Sequence, residues 1–203
     1  SSSSLTSLCS LPFFQHQHSN QGPVGAWGHE YVRTLAGEIG DEWAARRDNA
    51  AEAAAAAAAG ETAAAAPSSS TSTTPAPPLT TTDDLLVLVN QIVPYHLEHN
   101  AEPEAVDLLL EVERLDLLPD LVDARCAGRT CLYLTSCAPY LPEPDDGAAL
   151  RAARLCYAKV GRHFDALRVA LQLGDVEMAA RAFAAASDPS EKKQLAHLLA
   201  RAG

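Results

Sequence analysis

The chain has 203 residues, and its 47% hydrophobic share rests heavily on alanine with only 5% aromatics, so a thin, helix-rich packing layer is expected rather than a large globular core. No apolar run reaches the roughly 18–20 residues that span a bilayer, and the first twenty residues lack the basic start and cleavage site of a secretory signal, so a membrane is not the expected partner. The formal charge of -11 argues against nucleic acid as the main partner, because phosphate binding is driven by clustered Lys and Arg.

Residues 1–22 are rich in Ser, Gln and His and read as an atypical disordered tail. The only methionine is Met178, so the chain is expected to be a fragment, a processed product or an incomplete gene model. Residues 23–59 form an amphipathic helix with an alanine-rich extension: Tyr31, Leu35, Ile39 and Trp43 recur at helical spacing, and the alanine run prolongs the helix but frays for want of large contacts. Residues 60–82 are mostly small, hydroxylated and proline residues with almost nothing to bury, which makes a disordered low-complexity linker.

From 83 to 203 the pattern becomes closely spaced helices. Thr82, Asp83 and Asp84 offer caps for a helix buried through Leu85, Leu88, Val89 and Ile92, which Pro94 should kink or interrupt. The next helix begins near Asn100–Glu102, tolerates Pro103 in its first turn, turns Ala105, Leu108, Leu109 and Val112 inward, and closes at Leu118-Pro119. Another is expected from about Leu121 to Cys137, followed by a loop from Pro139 to Gly147. Leu150, Ala153, Tyr157 and Val160 define a helix stopped by Gly161; Phe164, Leu167 and Leu171 define its successor, stopped by Gly174. Asp175 caps a helix with Val176, Ala180 and Phe183 inward and a Glu177–Arg181 pair outside. Asp188, Pro189 and Glu191, the last reaching back to the cap, start a helix carrying Leu195, Leu198, Leu199 and Ala202.

Helices this short, joined by tight turns, must lie antiparallel, and successive pairs that bury one face each give an open stack. The expected fold is therefore all-α, an open α-solenoid of antiparallel helix pairs. No polar capping repeat precedes Gly203, so more of the stack is expected to follow, and the helix near Leu195–Leu199 is expected to be exposed and marginal.

No catalytic, cofactor or metal site emerges. On one helix Cys126, Cys131 and Cys137 could not converge on a single metal, and buried thiols packing as small hydrophobes are the simpler reading. His96 and His99 stand near Glu98 and Glu102, but in the wrong order for a metalloprotease helix, so an exposed amphipathic face is the expected setting. The acidic groups Asp83-Asp84, Glu143 with Asp145-Asp146, and Glu104, Asp107, Glu111 read as solvated surface. Charge is polarised along the chain: residues 83–146 carry a net -11 and residues 147–203 a net +4. Arg151, Arg154, Lys159, Arg162 and Arg168 form a basic cluster that either receives an acidic partner helix or balances the preceding helices of the same stack. Five cysteines, an odd number set within helix-like segments, suit a reducing compartment, the cytosol or nucleus.

Four strings, GAWGHEYVRTLAGEIGDEW, IVPYHLEHNAEPEAVDLLLEVERLDLL, CLYLTSCAPYLPEPDDGAAL and FDALRVALQLGDVEMAARAF, occur here in that order. Together they resemble the N-terminal region of the 26S proteasome non-ATPase regulatory subunit 2 family, the large scaffold of the regulatory-particle base. The resemblance covers roughly residues 23–48 and 83–203; the first 20 residues and the Ala/Ser/Thr/Pro stretch depart from it. It implies a non-enzymatic, cofactor-free helical scaffold in cytoplasm and nucleus that contacts other base subunits, notably the ATPase ring. In that family ubiquitin and ubiquitin-like domains dock on ring-forming repeats that nothing in this chain matches, so no receptor role carries over. A tetratricopeptide-like adaptor stack that binds a peptide or partner helix is the alternative, weakened because the loop at Pro139–Gly147 breaks any 34-residue period.

Overall fold

A computed structural model describes residues 24–60 and 82–202; the expected tail and nearly all of the expected linker lie outside the described residues. Every regular element among the described residues is helical. The chain divides into two compact units at Ile92/Val93, inside one helix.

The first unit opens with a 3-10 turn, Val24–Trp27, whose Trp27 ring stacks on Tyr31 at 5.1 Å. Helix α1, His29–Gly60, follows and runs into the alanine tract as expected. Val32, Leu35, Ala36 and Ile39 are buried, whereas Tyr31 and Trp43 are only partly so. The apolar stripe is thus rotated toward Val32, because the two rings sit on its margin and Tyr31 is engaged by Trp27. Helix α2, Thr82–Glu98, buries the expected stripe of Leu85, Leu88, Val89 and Ile92.

Pro94 does not interrupt α2. A proline inside a helix removes one i-4 hydrogen bond and costs about 3 kcal/mol. Burial of the apolar Val93 and Leu97 beside it works against that cost.

The second unit is an open α-solenoid built from the end of α2 and seven further helices: α3 (Glu102–Glu111), α4 (Leu118–Leu121), α5 (Ala127–Cys137), α6 (Asp145–Lys159), α7 (His163–Gln172), α8 (Val176–Ala185) and α9 (Pro189–Ala202). Packing is between near neighbours in sequence: α5 on α6, α6 on α7, α7 on α8 and α8 on α9. Helices also pack on the one after next, α3 on α5, α4 on α6 and α7 on α9. Alanines 149, 152, 153, 166 and 170 are buried in these contacts and permit close approach.

Helix ends explain most departures from the expected boundaries. Four chain reversals share one hydrogen-bond pattern, in which a residue with positive φ lets the next amide reach back five residues. The pairs are Ala101 N to His96 O (2.9 Å), Arg114 N to Leu109 O (2.8 Å), Arg162 N to Tyr157 O (2.9 Å) and Asp175 N to Ala170 O (3.1 Å). The left-handed residues are Asn100, Glu113, Gly161 and Gly174. The two glycines were legible in the sequence. Glu113 was not, and it ends α3 well before the expected Leu118-Pro119.

The helix expected from Leu121 to Cys137 is instead the single turn α4, an extended Val122 and then α5. Asp123 is the cause. Its Oδ1 accepts the amides of Arg125 (2.9 Å) and Cys126 (3.1 Å), a side-chain turn that competes with the helix and starts a new one.

In the last two helices, Asp175 caps α8 through Met178 N (2.8 Å) and Asp188 accepts Glu191 N (3.1 Å), both as expected. Glu191 does not reach back to its cap. Its carboxylate takes His163 Nδ1 at 3.0 Å and ties α9 to α7. Leu195 is fully buried, so the last helix is seated more firmly than its sequence suggests, with Leu198 and Leu199 partly covered.

Candidate interaction surfaces

The structure separates the five basic residues of the sequence cluster. Lys159 ends α6 and donates to the carbonyls of Pro119 (2.6 Å) and Asp120 (2.9 Å), capping α4 across forty residues of sequence. Arg162 lies with its guanidinium carbon 5.1 Å from the Tyr157 ring centroid and pairs with Asp165 at 2.7 Å. Arg168 reaches the other oxygen of Asp165 at 3.8 Å. Lys159 thus ties α6 to α4 and Arg162 ties the start of α7 to α6, whereas the Arg168–Asp165 pair lies within α7. Arg151 and Arg154 form no ion pair among the described residues. Arg151 shares the outward face of α6 with Leu155, which is 44% exposed, whereas Arg154 is half-buried with its Nε inside.

A second polar centre joins α3 to α5. Glu102 is buried at 3% exposure, and its carboxylate takes Arg129 Nε at 2.7 Å. Arg129 Nη2 also donates to Asn100 Oδ1 at 2.7 Å, so one guanidinium clamps the α2–α3 reversal and the first turn of α3. Beside it lies a cleft of about 330 Å³ lined by Pro94, Leu97, Glu98, Leu121, Asp123, Arg125 and Cys126. Its ionic groups satisfy one another: Arg125 Nε donates to Asp123 Oδ2 at 2.8 Å and holds that carboxyl well below the usual range.

Burial pushes the Cys126 thiol up; its Sγ sits 3.4 Å from the Asp123 amide. Cys131 is fully buried and points to Ala153 O at 3.5 Å. A hydrogen bond with Cys156, together with burial, raises its pKa far above that of a free thiol. Sequence reasoning did not bring Cys131 and Cys156 together, because their contact depends on the pairing of α5 with α6. Among the described residues no group of three or more His, Cys, Asp or Glu is arranged to hold a metal ion.

Sequence expectations about exposure are overturned at His96, on the α8 stripe and at Phe164. His96 is fully buried, not on an exposed face. Only His99 faces outward; it stacks on Tyr95 at 4.0 Å and its Nδ1 lies 2.7 Å from Tyr95 O. The signal that could have placed His96 inside is its spacing of four and seven residues from Ile92 and Val89, which puts it on the buried stripe.

The inward stripe of α8 is also shifted. Ala179 and Ala182 are buried, whereas Val176 is 82% exposed and Phe183 only half covered. Phe164 of α7, expected inside, is 41% exposed for the same reason: small alanines make the close contact between α7 and α8, and the large side chains stand at its edge. Leu171, Val176, Ala179, Ala180, Phe183, Leu199 and Ala202 line an open apolar groove of about 450 Å³.

The profile of the RPN1 N-terminal domain family matches residues 10–203. The chain is 40% identical over 183 residues to 26S proteasome non-ATPase regulatory subunit 2 homolog A of Arabidopsis thaliana, covering 90% of this chain and 17% of that protein. It is 40% identical over 186 residues to homolog B of the same plant, covering 92% and 18%. It is 39% identical over 175 residues to the 26S proteasome regulatory subunit rpn1 of Schizosaccharomyces pombe, covering 86% and 16%. The chain thus spans less than a fifth of the length of these relatives.

Proposed function

This chain belongs to the RPN1 N-terminal domain family, and on that premise we propose that it is a non-catalytic scaffold segment of the 26S proteasome regulatory particle. The observation that carries this reading is the match across residues 10–203, with relatives named as proteasome regulatory subunits. The physical side is supportive. Helices held by caps, left-handed reversals and cross-helix clamps such as Lys159–Pro119 and Arg129–Glu102 make a stiff support. Such a support contributes geometry, and chemistry is left to other subunits.

Partners under this reading are the other subunits of the regulatory-particle base, the ATPase ring foremost, in cytoplasm and nucleus. Of the basic cluster, exposed Arg151 and half-buried Arg154 carry no ion pair and are the residues left to meet an acidic partner helix, since Lys159, Arg162 and Arg168 are engaged within the chain. Charge reversal at Arg151 and Arg154 tests this without disturbing the Asp165 pairs.

The test of the scaffold reading is incorporation. A tagged intact gene product should co-purify with assembled regulatory particles, and R151E/R154E should weaken that association, with R151E alone, at the exposed position, leaving the melting curve unchanged. A protein that never enters regulatory particles overturns the scaffold reading. Unchanged association of the double variant overturns the assignment of these two arginines.

A further inference from the structure

A pocket of about 210 Å³ opens at the start of α6. It is lined by Leu110 of α3, by Glu113, Leu115 and Asp116 from the reversal and 3-10 turn that follow, and by Asp145 and Ala148 of the first turn of α6. Its leucines and alanine give an apolar floor, and its lining holds three carboxylates and no base. Arg114 neutralises one of the three, donating to Asp116 through Nε (2.9 Å) and Nη2 (3.1 Å). The Arg151 guanidinium lies over Gly147, and its position is about 120° round α6 from Asp145. The mouth of the pocket therefore keeps more acid than base.

Size and surroundings point to a protein as the partner. The volume falls below the roughly 300–1,000 Å³ of small-molecule sites, so the pocket holds one long side chain and not a metabolite. Tyr140 stands in the 3-10 turn Ala138–Tyr140, which packs on α6, and at 88% it is more exposed than any other large apolar side chain among the described residues. The backbone that carries it is already ordered: Leu141 N donates to Ala138 O (3.2 Å), Asp145 N donates to Pro142 O (2.9 Å), and Pro139, Pro142 and Pro144 fix φ. A tyrosine held outward on such a backbone loses little freedom on binding, and tyrosine is among the residues that dominate interface energies. Glu113 adds to this. Two of the other left-handed reversal residues are glycines and the third is asparagine, whereas here a carboxylate is kept at the pocket at φ 54°, where glycine would sit without strain.

We propose that the pocket at the start of α6 receives an arginine or lysine side chain from a basic segment of another regulatory-particle subunit, with Tyr140 packing against the same segment. The methylene stem of such a side chain matches Leu110, Leu115 and Ala148, and its cation matches Glu113 and Asp145. The inference rests on the scaffold reading, and it gives the chemistry of one contact that the scaffold makes.

The test is photocrosslinking from position 140. Tyr140 is replaced by p-benzoylphenylalanine in the intact gene product, the cells that express it are irradiated, and the crosslinked peptide is sequenced by mass spectrometry. The exposed position accepts the larger ring without repacking. The crosslink should fall on a net-basic segment of another subunit. Its yield should drop at least about fivefold in E113Q/D145N, which keeps the shape of the rim and removes two charges. Glu113→Gly should also lower the yield while raising the urea midpoint, a combination that a merely structural Glu113 would not give.

No crosslink to another chain, a crosslink to an acidic or neutral segment, or one to a second copy of this chain overturns the proposal. So does a yield that E113Q/D145N and E113G both leave unchanged. Co-purification is scored separately. A protein that enters regulatory particles without a basic crosslink at position 140 sinks this inference alone; one crosslinked there by a basic segment of an identified protein, yet never found in regulatory particles, sinks the scaffold reading and leaves the basic occupant standing.

Discussion

Replacing Arg129 by methionine tests the clamp between α3 and α5. The substitution leaves the Glu102 carboxylate buried at 3% exposure with its principal donor gone, and removes the 2.7 Å bond to Asn100. Breaking a fully buried ion pair from one side costs about 3–5 kcal/mol. Arg129 itself is 54% exposed, so water enters once the guanidinium is removed, and about 2 kcal/mol is the expected loss. For a unit of this size that is a fall of roughly 8 °C in melting temperature. Glu102→Met should cost less, about 1 kcal/mol, because the stranded arginine can turn to solvent. The double variant E102M/R129M should recover to within about 1 kcal/mol of the parent, since no charge is then left buried. Urea unfolding followed by far-UV circular dichroism, with slopes checked for equality, measures all three. An R129M loss below about 0.5 kcal/mol, or an E102M loss exceeding that of R129M, would refute the asymmetry on which this reasoning depends.

Glu113 ends α3 with a φ of 54°, a conformation that costs a side-chain-bearing residue about 1 kcal/mol, so Glu113→Gly should raise the urea midpoint by an amount equivalent to about 0.5–1 kcal/mol. The mirror experiment is Gly161→Ala, at φ 75° with open space around its Cα, which should lose about 1 kcal/mol for the backbone alone. Asp175→Ala removes the cap bond to Met178 N and should lower the stability of α8 by about 1 kcal/mol, read as faster amide exchange in Val176–Ala185. Asp123 and Asp116 are held below the usual carboxylate range by hydrogen bonds from Arg125 and Arg114. Their contribution is present above the unfolded value near about pH 4 and is lost as pH falls through the lower folded values, so any stability gap between the parent and D123N at pH 6 should shrink in urea titrations below about pH 4. A gap that widens in acid would contradict the assignment.

The sequence alone determined what is local to one helix. Apolar spacing announced α2 through Leu85, Leu88, Val89 and Ile92; Gly161 and Gly174 marked two reversals; Asp175 and Asp188 marked two starts. These signals are readable because propensity, capping and left-handed φ act over a few residues, without reference to the rest of the chain. Tertiary structure decided how deeply each face is covered and which polar groups meet. It placed His96 inside, turned Val176 and Phe183 toward an open trough, matched Cys131 with Cys156, and divided one run of basic residues into ties at Lys159 and Arg162 and charges without an ion pair at exposed Arg151 and half-buried Arg154. Such outcomes depend on the rotation and register of one helix against another, which the small alanines of α6 and α7 leave loosely specified in sequence and fix only when the surfaces close on each other.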